Sequence, residues 1–154
     1  MIRKDAKKLA EMMFELAAFH GDKSPTKAEH FIKYCLGAKK LGTAWVAFVG
    51  SEYAGFAVTY EWMNFVRANP GRALDLLYVR DEYRGRRVGH AIVSAIAEDA
   101  LKKGITRINT SAVKTNKKAK AFYEKVGFDT RSNNSHRYVI EGDKLKRIAK
   151  KWKR

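Results

Sequence analysis

Residues 80–93 read RDEYRGRRVGHAIV, a basic stretch with two glycines that becomes apolar at its end. The run before it, ALDLLYV over Ala73–Val79, is apolar nearly throughout and predicts a central strand covered on both faces. The residues after it repeat apolar side chains at helical spacing to about Lys103, and Gly104 is placed to end that helix. A further strand is predicted over Ile105–Val113. Strand, loop, helix and strand together predict a βαβ unit with parallel strands.

The chain before this unit predicts two helices and a hairpin. Apolar residues at helical spacing predict a first helix that ends at Gly21, and a second helix is expected from about Thr26 to Leu36. Two β-branched and aromatic runs, Thr43–Val49 and Tyr53–Phe65, predict an antiparallel hairpin. The breakers that follow, NPG at 69–71, are expected to end the strand and form a loop over Arg67–Arg72.

The chain after the βαβ unit predicts three more elements of a single α/β domain over residues 1–154. They are a helix over Asn116–Val126, a late strand over Arg137–Gly142 and a final helix that carries Leu145 and Trp152 on one face.

Length and composition describe a folded globule. The chain has 154 residues, enough for one domain with a real core, and no apolar run approaches the length that crosses a bilayer. The opening residues lack the continuous apolar region of a signal peptide, so export is not expected. Cys35 is the single cysteine and cannot form an internal disulfide. These features favour a cytoplasmic protein without a membrane partner.

The net charge is strongly positive, at +16 from 32 Lys and Arg against 16 Asp and Glu. Such a field attracts polyanions, which include nucleic acids and phosphorylated cofactors. Seven of the eleven residues over Lys144–Arg154 are basic, and they either bind a polyanion or only solvate the final helix. The four histidines show no metal-ligand spacing, so no metal is implied.

The basic stretch lies where a buried strand meets a helix. Unpaired amides and the helix dipole favour an anion at such a place, and Gly85 and Gly89 would let a phosphate approach closely. Arg84, Arg86 or Arg87 would add positive charge. An ordinary basic loop is the alternative interpretation.

Two segments together carry a family resemblance. YVRDEYRGRRVG followed by NKKAKAFYEKVGF resembles the two cofactor motifs of the GCN5-related N-acetyltransferases. In that family the loop has Arg or Gln, two residues, Gly, one residue, and then Gly or Ala. Arg84 and Gly89 match, whereas Arg87 stands where a glycine is usual. An arginine is tolerated there unless the position needs a positive φ.

The resemblance implies a mixed, mostly antiparallel sheet with a parallel βαβ unit at the cofactor site and helices on both faces. It also implies acetyl-CoA as acyl donor, with Asn116 at the pantetheine arm and Tyr123 as the general acid for the departing thiolate. The implied cofactor-binding residues are Leu77, Tyr78, Val79, Arg84, Gly85, Arg86, Arg87, Val88, Gly89, Asn116 and Phe122.

The general base has two candidates. Asp75 lies in LDLLYV, which resembles the L-E-D-L-Y-V pattern of the spermidine/spermine-type acetyltransferases, where the glutamate is a proposed base. Leu76 replaces the second acid of that pattern, which weakens the case for a polyamine. Glu61, at the end of the preceding strand, is the other candidate.

The leading hypothesis is an enzyme that moves the acetyl group directly to a primary amine, in the first place that of a small molecule. The small-amine relatives favour a homodimer. Two alternatives remain: a nucleic-acid-associated acetyltransferase or basic nucleic-acid-binding module, and a member that binds CoA without catalysis.

Overall fold

The structure, a computed structural model, describes residues 1–66 and 68–130. The predicted late strand and final helix lie outside these residues. The chain divides into two compact units, Met1–Lys117 and Lys118–Arg154, which are described separately. A single domain over 1–154 stays a prediction.

Helices and strands follow one another largely as the sequence predicts. The helices are α1 Ala6–Phe19, α2 Ala28–Phe31 with a π-helical continuation Ile32–Leu36, α3 Val88–Lys102 and α4 Lys117–Val126. The strands are β1 Thr43–Val49, β2 Glu52–Asn64, β3 Asn69–Val79 and β4 Ile108–Thr110.

The four strands form one sheet in the order β1-β2-β3-β4. The pairs β1–β2 and β2–β3 are antiparallel, and β3–β4 is parallel, which confirms the predicted βαβ unit. Strand β4 is shorter than predicted because Ile105 closes helix α3 instead. Its N–H donates to the Ala100 carbonyl at 2.9 Å, and Gly104 takes a φ of +70°, which together make a glycine-terminated helix end.

The prediction of a loop over Arg67–Arg72 was wrong for residues 69–72, although Ala68 does lie in a turn. Strand β3 begins at Asn69, with Pro70 opposite Met63 and Gly71 opposite Trp62. A proline is tolerated at the start of a strand, and Gly71 is required by its neighbour, because a Cβ there would lie 2.5 Å from the Trp62 ring. The two breakers therefore shape a long hairpin.

Helices cover both faces of this sheet. Leu9 and Met12 of α1 are fully buried in a core with Phe56, and burying such a side chain contributes about 2 kcal/mol. Glu61 lies five positions after Phe56 on the same strand and so points to the other face. There it bonds Arg72, which in turn donates to the Ile96 carbonyl of α3 at 3.0 Å. The predicted arrangement of helices is confirmed.

Candidate active site

Strands β3 and β4 diverge at a bulge in β3. Val58 pairs with Leu76 and Thr59 with Leu74, so Asp75 is an extra, exposed residue on β3. The pairing with β4 stops at Leu74, whose carbonyl also accepts a hydrogen bond from the Thr110 hydroxyl at 2.9 Å. From Asp75 to Val79 this edge of β3 therefore has no strand partner among the described residues.

The main chain of β3 shows which groups face that open edge. The Arg80 N–H donates to the Ala54 carbonyl of β2 at 3.0 Å, and alternate residues of a strand direct their main-chain groups to opposite sides. Leu77 and Val79 are thus directed to the open edge, and the Val79 carbonyl there accepts from Arg84 Nε at 3.0 Å. Tyr78 directs its main chain to β2. The geometry favours Leu77 and Val79 as partners for an extended ligand.

The open edge leads to the start of α3. Gly85 has a φ of +76°, and a Cβ there would meet open space. Helix α3 begins at Val88 without a side-chain cap and without an acidic residue in its first turn, and Gly89 is its second residue. An N-terminus of this kind leaves amides and the positive end of the helix dipole for an anion, so the loop fits a pyrophosphate.

Arg87, the departure from the family pattern, occupies a strained position. Its φ of 62° and ψ of 12° place it in the left-handed region, where glycine is favoured. The condition under which an arginine would be tolerated is therefore not met, and its backbone costs about 1 kcal/mol. Arg87 forms no ion pair with another described residue.

The other two loop arginines are held by the protein. Besides its bond to Val79, Arg84 forms an ion pair with Asp81 at 2.7 Å, and its guanidinium lies 5.3 Å from the centre of the Phe19 ring. Arg86 lies over the ring of Tyr83 at 5.9 Å. Arg84 therefore ties the loop to the end of α1, whereas Arg86 and Arg87 form no ion pair with another described residue.

A second arginine joins α1 to the end of β3. Arg80 donates to both carboxylate oxygens of Glu15, at 2.7 and 3.0 Å, and the Tyr78 hydroxyl donates to Glu15 at 3.1 Å. Burial and the neighbouring Glu15 charge raise the pKa of Tyr78 to about 12. Tyr78 is therefore a neutral phenol at physiological pH.

The two base candidates lie in different environments. Glu61 accepts from Arg72 at 2.7 Å and from Lys103 at 3.3 Å, and the Arg72 hydrogen bond holds the pKa of Glu61 below its usual value. A carboxylate stabilised in this way is a poor proton acceptor, so the geometry does not favour Glu61. Asp75 is exposed at the bulge, where the strands separate. Of the two, Asp75 is better placed.

The remaining predicted residues lie at α4. In the second unit, Tyr123 packs edge-on between Phe122 and Phe128, at 5.4 and 5.5 Å between ring centres. The Phe128 N–H donates to the Tyr123 carbonyl at 2.9 Å, and Gly127 has a φ of +106°, which closes α4 as predicted. Asn116, just before α4, donates its N–H to the Val113 carbonyl at 2.8 Å.

A cavity of about 280 Å³ was not predicted from the sequence. It lies beside β3, where Leu76 and the end of α1 form its walls together with the residues that follow Gly21. The Gly and Pro that bound this segment indicated a loop, but no pattern indicated a cavity. Within residues 1–66 and 68–130 there is no cluster of three potential metal ligands, and no helix is long and apolar enough to span a membrane.

The comparisons identify the class of protein as an acetyl-CoA-dependent acetyltransferase, and the fold agrees with it. The chain belongs to the acetyltransferase (GNAT) family, whose model matches residues 8–128. It is similar to thialysine N-epsilon-acetyltransferase of Bos taurus, with 32% identity over 80 residues, 51% of this chain and 47% of the bovine protein. The matched part thus spans about half of the bovine relative.

Longer similarities cover nearly the whole chain. Thialysine N-epsilon-acetyltransferase of Caenorhabditis elegans is 29% identical over 151 residues, 94% of this chain and 91% of the worm protein. Among solved structures, an integron cassette protein from the mobile metagenome of V. cholerae superposes with a TM-score of 0.79 at 19% identity, covering 97% of this chain and 94% of the other. This structural likeness confirms the fold.

Proposed function

We propose that this protein transfers the acetyl group of acetyl-CoA to a primary amine of a small molecule. The observation that carries the proposal is the continuous path from the open edge of β3 to the uncapped N-terminus of α3. An extended arm with amide groups would add along the edge, and a pyrophosphate would meet the helix amides. Membership of the acetyltransferase family supports the same function.

The donor is held by main-chain groups more than by side chains. Leu77 and Val79 offer main-chain groups at the open edge, and the amides from Gly85 to Gly89 surround the pyrophosphate position. Asn116 and Phe122 are proposed contacts for the pantetheine arm on the basis of the resemblance. The acetyl-CoA thioester supplies an activated acyl carbon when bound.

The protein's residues would move two protons. A primary ammonium group loses one proton to Asp75, directly or through water, so that its nitrogen can form the new bond to the acyl carbon. As the carbon–sulfur bond breaks, the phenol of Tyr123, assigned on the basis of the resemblance, donates a proton to the sulfur. The second proton that the acylated nitrogen loses passes through solvent and restores the phenol. The products are an N-acetyl amine and a free thiol, and no acyl-enzyme step is needed.

The names of two relatives suggest the acceptor class. Both the bovine and the worm protein are thialysine N-epsilon-acetyltransferases, which act on a terminal amine of an amino acid. Loss of the second acid at Leu76 points away from polyamines. The resemblance to the small-amine acetyltransferases is the basis for a proposed homodimer, and the single cysteine supports a cytoplasmic location.

An amine-panel screen tests the activity. Purified protein is incubated with acetyl-CoA and amino acids, polyamines, aminoglycosides or lysine peptides, and products are detected by mass spectrometry. We expect acetylation of a small primary amine. Tight CoA binding without any acetylated product would instead identify a CoA-binding member without catalysis.

Tyr123→Phe tests the proton donor. We expect a lower kcat, by about a hundredfold, with unchanged CoA affinity by calorimetry. Tyr60→Phe, at a half-exposed tyrosine of β2, is the control. Equal turnover in Tyr123→Phe and wild type would remove Tyr123 from this role.

Nucleic-acid binding is the second candidate, and the +16 charge favours it. The most basic segment, 144–154, lies outside the described residues. A gel-shift titration over a salt series tests this candidate, since phosphate contacts weaken steeply with salt. No shift at low salt would end it.

A further inference from the structure

The cavity beside β3 has apolar walls and a charged rim. Its walls are Met13, Leu16 and Ala17 of α1 with Leu76 of β3, and its rim includes Asp22 and Lys23. A volume of about 280 Å³ is at or below the lower end of the range for sites that hold drug-sized ligands. It suits a short chain of methylene groups rather than a multi-ring amine.

The cavity adjoins the site proposed for the donor. Leu76 lies directly between the bulged Asp75 and Leu77, whose main chain faces the open edge of β3. A ligand against Leu76 therefore has one end next to the bulge, where Asp75 can accept a proton. Its other end reaches the rim.

The rim presents one negative and one positive group side by side. Asp22 and Lys23 are consecutive and exposed, and neither forms an ion pair with another described residue. The loop that carries them is held in place, because the Asp22 N–H donates to the Ala17 carbonyl at 2.9 Å and the Thr26 N–H to the Ser24 hydroxyl at 3.2 Å. The backbone that carries both residues therefore keeps its place next to the cavity.

We propose that Asp22 and Lys23 recognise the charged end of a zwitterionic amino acid whose side chain bears the terminal amine to be acetylated. Asp22 binds the α-ammonium group, Lys23 binds the α-carboxylate, and the methylene chain lies along Met13, Leu16 and Leu76. A polyamine would place a second ammonium beside Lys23, which repels it. This assignment rests on the proposed acetyl transfer and specifies its acceptor.

Three amines of matched length test the assignment: L-lysine, cadaverine, which lacks the α-carboxylate, and 6-aminohexanoate, which lacks the α-amine. With saturating acetyl-CoA, we expect wild type to show the highest kcat/KM for L-lysine among the three amines. Lys23→Ala should raise the KM for L-lysine about fivefold to tenfold and lower the KM for cadaverine, whose second ammonium Lys23 repels. Asp22→Asn should raise the KM for L-lysine and cadaverine but not for 6-aminohexanoate.

Lys27→Ala, at an exposed lysine outside the cavity lining, should change none of these values. Calorimetric binding of L-lysine to the CoA-loaded protein gives a readout that does not depend on turnover. Equal losses for all three amines in both rim variants would overturn the assignment, and so would a wild-type preference for cadaverine. Acetylation of other amines only would also overturn it while leaving the acetyl transfer intact, whereas no acetylation of any amine would end both.

Discussion

An arginine near the start of strand β3 and another beyond its end differ in burial and in ion pairing. At its start, Arg72 is 1% exposed and bonds Glu61 at 2.7 Å, Asp99 at 2.8 Å and the Ile96 carbonyl at 3.0 Å. Beyond its end, Arg87 is exposed, strained and without an ion pair to another described residue. One arginine is neutralised where it holds elements together, whereas the other keeps its charge where a polyanion would bind.

The start of β3 is an ion cluster that joins β2, β3 and α3. Lys103 adds contacts to Glu61 at 3.3 Å and to Asp99 at 3.2 Å. Burial raises the pKa of Asp99, but the hydrogen bonds from Arg72 and Lys103 outweigh it, so the net shift is downward. The Arg72 guanidinium also lies 6.0 Å from the Trp45 ring centre. These contacts compensate the buried charge of Arg72, although its Nε is buried without a hydrogen-bond partner among the described residues.

The largest effect is expected from Arg72→Ala. It removes the centre of the cluster and leaves a cavity, so the free energy of unfolding should fall by about 3 kcal/mol. Urea denaturation measures this change. Lys103→Ala removes an exposed partner of the same cluster and should cost no more than about 0.5 kcal/mol. Equal losses in the two variants would show that Arg72 is not the centre of the cluster.

At the other end of β3, Gly89→Asp should weaken CoA binding by about tenfold or more, because it places a negative charge in the first turn of α3. Ser94→Asp puts the same charge on an exposed position of the same helix and should leave the affinity near that of wild type. Isothermal calorimetry measures both. Unchanged affinity in Gly89→Asp would refute the pyrophosphate site.

Two substitutions of Arg87 distinguish the effect of its backbone strain from the effect of its charge, and both effects are expected to be smaller. Arg87→Gly relieves the left-handed backbone and should raise the free energy of unfolding by about 1 kcal/mol, whereas Arg87→Ala keeps the strain and should not. Both variants lose the guanidinium, so both should bind CoA about threefold more weakly at low salt. Wild-type affinity in both would mean that the side chain does not contact phosphate.

The smallest expected effect is on how the free energy of unfolding depends on pH. Because the folded pKa of Glu61 is below its ordinary value of 4.5, its ion pair stabilises the fold above that value. This stability is lost as pH falls through the lower folded pKa. Glu61→Gln should therefore flatten the acid dependence of the unfolding free energy, while Glu29→Gln, outside the cluster, should not. An unchanged profile in Glu61→Gln would contradict the ion pair.

Sequence patterns correctly predicted the elements that depend on residues close together along the chain. The βαβ unit was predicted correctly from hydrophobic spacing and from Gly104, and so was the loop between its first strand and its helix. The residues NPG at 69–71 led to the wrong prediction of a loop. Only the pairing of β2 with β3 shows that Gly71 lies against the Trp62 ring. Glu61 likewise meets Arg72 across the hairpin, eleven positions away, so its pairing could not be read along the chain.

The candidate site also has one part that sequence patterns predict and another part that they do not. Motif spacing predicts which loop residues contact the cofactor, and this stays a prediction, but the positive φ of Arg87 is a backbone property that its side chain does not indicate. The cavity joins the end of α1 to Leu76, more than fifty positions away, and its formation depends on how α1 packs on the sheet. Sequence patterns contain no direct signal for such a contact.

Arg80 and Arg84 both connect helix α1 to the end of strand β3. Arg80 is bonded to Glu15 of α1, and Arg84 lies against Phe19 at the end of that helix while bonding β3. The helix that walls the cavity and the strand that carries the open edge are thus connected at two points. In the proposed reaction, these two connections would fix the distance between the amine and the acyl carbon before either ligand binds. Such alignment can increase the rate by several orders of magnitude.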